Sequence, residues 1–255
     1  MPEVTSYDPG VPCWVDLATT DPDAARSFYR SLFGWDYEIG PAETMYYSQA
    51  LVRGKPVAAI FGQQEPGAMP VAWTTYFATD SADATSKRIT DSGGTLDMGP
   101  DDVMDQGRMV IATDPTGAVL GLWQASKFSG AAVVSEPGAF SWNELSTPDL
   151  DAARRFYSAV FGYQWEDVDT GPGGPRYATF AVGGRPVGGA MQQTDVPPNW
   201  GTYFAVADTD AAVAKAQELG GGVLLPATDS PYGRFAALRD PQGGVFSVMR
   251  LPDQS

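Results

Sequence analysis

Apolar residues recur along the chain at two spacings, which predict short strands and amphipathic helices. Val15 and Leu17 alternate with residues of different character, the period of a strand with two unlike faces. The stretch DAARSFYRSLF from Asp23 has its apolar residues at helical spacing. Asp21 before it and Gly34 after it are typical of the two ends of a helix. A strand followed by an amphipathic helix is therefore predicted.

The same criteria extend the prediction further along the chain. Strands are predicted at Tyr46–Leu51, Val57–Phe61 and Trp73–Ala78, and a second helix at about Ala82–Ser92. Two closing strands are joined by a Pro-Gly turn, DPTG at Asp114. The predicted order is one strand, a helix and three strands, given twice. It favours an α+β fold, because a parallel α/β sheet needs a helix between every pair of strands.

This whole pattern is written twice in the chain. WVDLATTDPDAARSFYRSLFGW from Trp14 matches WNELSTPDLDAARRFYSAVFGY from Trp142 without a gap. Later matches pair GKPVAAI with GRPVGGA, WTTYFA with WGTYFA, and GRMVIATDPTGAVLGLW with GRFAALRDPQGGVFSVM. A repeat of this length indicates a duplicated domain rather than a solenoid. We predict one domain at 1–123, a linker at 124–139 and a second domain at 140–255.

Charge and composition narrow the possible partners. The net charge of −15 argues against nucleic acid and against an anionic membrane surface. No stretch has the pattern of a leader peptide or of a membrane span. The single cysteine, Cys13, cannot form an intramolecular disulfide. We expect a cytoplasmic protein.

The chain contains no histidine. Ser-His-Asp and Cys-His catalysis are thereby excluded, because both need an imidazole to take a proton. Metal sites built on histidine are excluded too, and one cysteine cannot make a thiolate site.

The D…AARxFYxxxFG helix, the YFA…D step and the DPxG hairpin resemble the vicinal oxygen chelate superfamily, which includes glyoxalases, extradiol dioxygenases and bleomycin-resistance proteins. The tandem arrangement, with WNEL, GRPVGG and DPQGGVFSV, is similar to actinobacterial two-domain members, including some found with antibiotic biosynthesis genes. The resemblance implies a tandem duplication of a glyoxalase-like domain. Each copy would consist of two βαβββ units curled into a cup-shaped mixed sheet, with the ligand inside the cup.

The resemblance also locates the positions at which metal-dependent members bind their ion. They fall at Trp14, Thr74 and Gly121 in the first copy, and at Trp142, Gly201 and Ser247 in the second. Indole and glycine offer no ligand atom and a neutral hydroxyl is a weak ligand, so no metal and no other cofactor is expected. An oxygen-only Mg²⁺ or Ca²⁺ site at Asp101, Asp102 and Asp105 is an open alternative to a solvated acidic loop.

Strand alternation predicts which side chains face into each cup, because residues two apart share a face. The predicted ligand-binding residues are Trp14, Asp16, Tyr76, Trp123, Trp142, Glu144, Tyr203 and Met249. Val15, Leu17, Thr75, Phe77, Leu120 and Leu122 are predicted to face the helices. Aromatic walls with one carboxylate suit a flat ring ligand, although the same tryptophans would equally fill the cups as core.

Three functions remain open at this point. The first is a metal-free protein that sequesters or carries a planar aromatic metabolite or antibiotic, with or without an amine. The second is a metal-independent enzyme, or an accessory protein of antibiotic biosynthesis, with Asp16 and Glu144 as acid–base candidates. The third is a scaffold that acts through its acidic surface. The expected partner is a small aromatic molecule, and the chain would be a monomer or a homodimer.

Overall fold

The computed structural model describes residues 3–67 and 69–252 and folds each repeat into an eight-stranded mixed sheet with two helices. The first copy consists of β1 (Pro12–Thr19), α1 (Pro22–Phe33), β2 (Asp36–Ile39), β3 (Ser48–Val52), β4 (Lys55–Gly62), β5 (Ala72–Ala78), α2 (Ala82–Asp91), β6 (Thr95–Val103), β7 (Gly107–Thr113) and β8 (Val119–Ala125). The second copy consists of β9 (Phe140–Thr147), α3 (Leu150–Phe161), β10 (Gln164–Val168), β11 (Tyr177–Val182), β12 (Arg185–Gln192), β13 (Asn199–Ala205), α4 (Thr209–Glu218), β14 (Gly222–Ser230), β15 (Gly233–Arg239) and β16 (Val245–Arg250). Within these ranges no helix has the length and apolar character needed to cross a membrane.

The strand order confirms two βαβββ units in each copy. The first sheet runs β2-β3-β4-β1-β5-β8-β7-β6, and the second repeats this order with β10-β11-β12-β9-β13-β16-β15-β14. The central pair, β1 and β5, is antiparallel, and each central strand also pairs in parallel with the last strand of its own unit. The prediction located the other strands but missed β2, β6, β10 and β14, which are the edge strands of the two sheets and are largely exposed.

The repeated helix begins and ends as its sequence predicts. The Asp21 side chain accepts a hydrogen bond from the backbone N–H of Ala24 at 3.0 Å, and Asp149 repeats this contact in the second copy. Gly34 and Gly162 end their helices in the left-handed conformation, with φ of 73° and 74°. Glycine adopts this conformation without the steric cost of a Cβ, so the helix stops there.

The two copies share their hydrophobic cores. One buried cluster joins the first unit of copy one to the second unit of copy two, and another joins the remaining two units. The Tyr29 hydroxyl donates to Asp240 Oδ2 at 2.9 Å, and Tyr157 donates to Asp114 Oδ2 at the same distance. Strand pairing therefore lies within each copy, whereas helix packing crosses between copies. The tyrosine of each repeated helix thus bonds to the aspartate of the DPxG turn in the other copy.

A second reciprocal pair involves the aromatic residue that follows each repeated helix. Trp35 Nε1 donates to the Gly138 carbonyl oxygen at 2.6 Å, and the Tyr163 hydroxyl donates to the Gly10 carbonyl oxygen at 2.5 Å. All these groups are buried, where an unpaired polar group is costly. The segments from Asp23 to Trp35 and from Asp151 to Tyr163 thus each donate two buried hydrogen bonds beyond their own copy.

Removing the Tyr29 hydroxyl should measure the intercopy contact. Besides donating to Asp240, this hydroxyl accepts from Trp73 Nε1 at 3.1 Å, so Tyr29→Phe leaves two buried polar groups short of a partner. We expect the free energy of unfolding to fall by about 2 kcal/mol in urea denaturation. Tyr37→Phe is the matched control, because the buried Tyr37 hydroxyl has no hydrogen-bond partner among the described residues. Equal losses in the two variants would contradict a role for the contact.

The segment between the copies packs along the first of them. Residues 124 and 125, within the predicted linker, are the end of β8. Beyond them Ala131, Val133 and Ala139 are buried, and the Ala131 N–H donates to the Cys13 carbonyl at 2.8 Å. The first part of the segment therefore packs on the first copy, whereas its end at Gly138 and Ala139 is hydrogen-bonded to Ala205 of β13.

Candidate functional site

Each sheet curls around a concave surface, and all eight residues predicted to face the cups lie on it. The residues of opposite parity, Val15, Leu17, Thr75, Phe77, Leu120 and Leu122, are fully buried on the helix side. The concave region runs across both copies and has a volume of about 2730 Å³. Single small-molecule pockets span roughly 300–1,000 Å³, so the concave region of the two copies together is large enough for a small molecule.

A buried carboxylate, Asp16, lies at the floor of the first cup. Its side chain is 3% exposed, and its Oδ2 accepts from the Tyr47 hydroxyl at 3.1 Å. Tyr47 in turn accepts from Trp14 Nε1 at 2.8 Å. The second oxygen, Oδ1, is buried and accepts no hydrogen bond from the described residues. A buried carboxylate oxygen without such a bond is energetically costly, and it leaves Asp16 with unused hydrogen-bonding capacity at the floor of the cup.

Burial raises the pKa of Asp16 to about 7, because the ionised form loses its hydration in this environment. The Tyr47 and Tyr76 hydroxyls partly offset the shift by stabilising the negative charge. Near neutral pH the Asp16 carboxyl therefore exists in both protonation states. In one it accepts a hydrogen bond or pairs with a cation, and in the other it donates a proton.

The second cup repeats this arrangement with a longer acid. Glu144 Oε1 accepts from the Tyr203 hydroxyl at 3.0 Å, and Trp142 Nε1 donates to the Tyr177 hydroxyl at 3.3 Å. Burial raises the pKa of Glu144 as well, and the Tyr177 and Tyr203 hydroxyls again oppose the shift. The two cups thus share one matched tryptophan, two matched tyrosines and one carboxylate of raised pKa.

The sequence-based prediction missed the tyrosine that links each tryptophan to its carboxylate. Tyr47 lies just before β3 and Tyr177 is the first residue of β11. The two occupy the same position relative to the GKPVAAI and GRPVGGA matches, which is the sequence signal that identifies them. Strand parity did not reveal them, because they lie at the beginning of strands for which no facing direction was assigned.

The two cups differ in what covers the tryptophan. Phe128 of the intercopy segment packs its ring edge-on to Trp14, with centroids 4.8 Å apart, and 6.0 Å from the Trp123 ring. Trp14 is consequently only 4% exposed. Trp142 is partly exposed, and none of the described residues places an aromatic ring against it. Met249 stands where the first copy has Trp123.

Charged side chains on the concave surface are of one sign. The acidic residues that line it are Asp16, Glu38, Glu43, Glu65, Asp97, Asp101, Asp102, Glu144, Asp169 and Asp229, and no lysine or arginine is among its described lining residues. Asp102 and Asp229 pair with Arg108 and Arg234, respectively, which lie outside this lining. The field in the cups therefore favours a cation over an anion.

The rims of the cups are apolar. Ile39, Met45, Met69, Met98 and Met104 are exposed around the first cup, and Val196, Leu224, Leu225, Tyr232 and Val245 around the second. Exposed apolar side chains grouped around a concavity typically mark a binding site. Methionine adapts its shape readily, so the rim of the first cup is also deformable.

The residues at the family's metal positions do not fit a divalent ion. The Trp14 N–H is engaged with Tyr47, and Gly121 has no side chain and lies beneath the Tyr76 ring. Across residues 3–67 and 69–252, no three His, Cys, Asp or Glu side chains converge as a metal site would require. In the acidic loop, Asp102 pairs with Arg108, and Asp105 with Lys127.

Comparison with known proteins agrees with the fold. Residues 13–122 match the model of the Glyoxalase/Bleomycin resistance protein/Dioxygenase superfamily, and residues 142–249 match a glyoxalase-like domain. CFP32 of Mycobacterium bovis, which carries a glyoxylase name, is 45% identical over 100% of both chains. The anthracycline biosynthesis protein DnrV of Streptomyces peucetius is 40% identical, over 97% of this chain and 96% of its own.

Among solved structures, the 2,3-dioxygenase LapB of Pseudomonas sp. KL28 superimposes with a TM-score of 0.65 at 14% identity, covering 97% of this chain and 96% of LapB. At that identity the likeness establishes the fold alone. The family matches and the full-length relatives show that this chain belongs to the glyoxalase/bleomycin resistance protein/dioxygenase superfamily, as a tandem two-domain member.

Proposed function

We propose that this protein binds a planar, amine-bearing aromatic metabolite or antibiotic without a metal ion, and thereby sequesters or carries it. The observation on which the proposal rests is the concave surface, where aromatic side chains alternate with carboxylates and the described lining lacks any cation. Rings stack on rings, and an ammonium group pairs with a carboxylate in a partly desolvated site. A net charge of −15 attracts such a cation from a distance.

The relatives are consistent with this ligand class. DnrV is named for anthracycline biosynthesis. Anthracyclines are fused, planar aromatic compounds, and many carry an amino sugar. Both features match the chemistry of the cups, so an anthracycline is a rational first probe.

A metal-independent enzyme is the second candidate, and one observation favours it. Burial raises the pKa of Asp16 to about 7, which suits a group that both takes and gives a proton near neutral pH. The Mycobacterium relative carries the name of an enzyme, a glyoxylase, which is consistent with a catalytic role. In this alternative Asp16 and Glu144 do the acid–base work.

Native mass spectrometry of the purified chain separates the two candidates. The chain is mixed with doxorubicin, with its amine-free aglycone, and with a panel of other aromatic natural products. A bound, unaltered ligand that favours the amine-bearing form supports the binding protein. Release of a ligand with a changed mass, lost in Asp16→Asn while affinity is retained, supports the enzyme. Absence of any complex across the panel would contradict both.

A further inference from the structure

We propose that the two cups have diverged, so that the second cup is the ligand site and the first is occupied by the chain's own Phe128. This inference rests on the proposed binding function and specifies where binding occurs. It is based on one difference between the cups. The Trp14 ring is covered by Phe128 and the Trp142 ring is partly exposed, although each tryptophan donates to an equivalent tyrosine.

Phe128 is held in the first cup at both ends of its backbone. Its N–H donates to the Gln106 carbonyl at 3.2 Å, and its carbonyl accepts from Trp123 Nε1 at 2.7 Å. Its ring meets Trp14 edge-on, the geometry that aromatic pairs prefer. Phe128 therefore occupies the position of a small ring ligand, and it is anchored there rather than resting on the surface.

In the second cup the corresponding tryptophan is open. Trp142 is partly exposed, and its indole N–H is already oriented by Tyr177. Met249, in place of Trp123, offers a polarisable sulfur to a ring face, and Tyr232 at the rim is 50% exposed. A ligand ring lying against Trp142 would take the place that Phe128 takes against Trp14.

The same placement brings the polar part of the ligand to Glu144. Glu144 is partly exposed, and the Tyr203 hydroxyl donates to its Oε1 at 3.0 Å, which fixes the carboxylate on the cup surface. Asp16 is only 3% exposed by comparison, and its Oδ2 is bonded to the Tyr47 hydroxyl. An amine-bearing aromatic therefore meets a partly exposed tryptophan beside a partly exposed carboxylate in the second cup, whereas both counterparts are almost fully buried in the first.

Isothermal titration with doxorubicin tests the assignment on the full-length chain. We expect one ligand per chain for the native protein, and at least a tenfold loss of affinity for Trp142→Ala, since aromatic stacking contributes about 1–3 kcal/mol by alanine substitution. Trp142→Phe keeps a ring and should recover most of the affinity. Phe128→Ala should open the first cup and raise the stoichiometry to two. Tyr46→Ala, an exposed aromatic outside the concave lining, is the matched control and should bind as the native chain does.

The possible outcomes distinguish failure of the cup assignment from failure of the proposed binding function. Two ligands on the native chain, or native-like binding by Trp142→Ala, would overturn the divergence of the cups and leave the binding function standing. No binding of doxorubicin or its aglycone to the native chain would overturn both. Circular dichroism melting of each variant establishes that a loss of affinity does not come from unfolding.

Discussion

Replacing Asp16 with asparagine will raise the free energy of unfolding at pH 8 by up to about 4 kcal/mol and will leave it nearly unchanged at pH 4. Burial raises the pKa of this carboxyl from 3.8 to about 7. Each unit of pKa difference between the folded and unfolded chains corresponds to about 1.4 kcal/mol of stability. The folded chain thus holds the proton more tightly than the unfolded chain. The cost of ionising Asp16 appears as the pH rises from about 4 to 7 and is constant above that range.

Urea denaturation of the native chain and of Asp16→Asn from pH 4 to pH 9 measures this difference. The native curve should fall across the interval, and Glu144 contributes in the same direction because burial raises its pKa too. Asp36→Asn, at an exposed position on β2, should track the native curve. A difference between native and Asp16→Asn chains that is independent of pH would show that the Asp16 pKa is not raised in the fold.

Gly130→Ala will lower the free energy of unfolding by more than about 3 kcal/mol. Gly130 has φ of +113°, a conformation that residues with a Cβ rarely adopt. A Cβ there would also overlap the Cys13 carbonyl oxygen, which is backbone and cannot swing away. The substitution would push the intercopy segment off β1, two residues beyond Phe128.

Gly162→Ala provides the matched comparison in thermal and urea denaturation. Its φ is +74°, so the substitution carries a similar backbone cost, but nothing lies within 4 Å of the added Cβ. We expect it to cost only about 1 kcal/mol. Equal losses at the two glycines would mean that close packing of the segment against β1 does not stabilise the chain.

Much of the cup was predictable because a strand alternates and the chain is repeated. Once Trp14 and Trp142 are taken as inward-facing, the period of two determines Asp16 and Glu144, and all four lie on the concave surface. The duplication supported each assignment a second time, because equivalent residues of the two copies must lie on the same face of their strands.

What escaped prediction depends on contacts that no period encodes. Phe128 lies in a segment without regular structure, so only the fold shows that its ring packs on Trp14. The hydroxyls of Tyr29 and Tyr157 sit on helices whose spacing predicts burial but not which copy supplies the partner. The uniformly acidic lining is a further example, because net charge does not specify where the charges lie.

A crystal structure of the chain with bound doxorubicin would show which cup binds the ligand and what lies against it. We expect one unaltered ligand in the second cup, its ring against Trp142 and its amine toward Glu144, with Phe128 still packed against Trp14. A ligand in the first cup, with Phe128 displaced and Trp142 uncovered, would contradict this expectation.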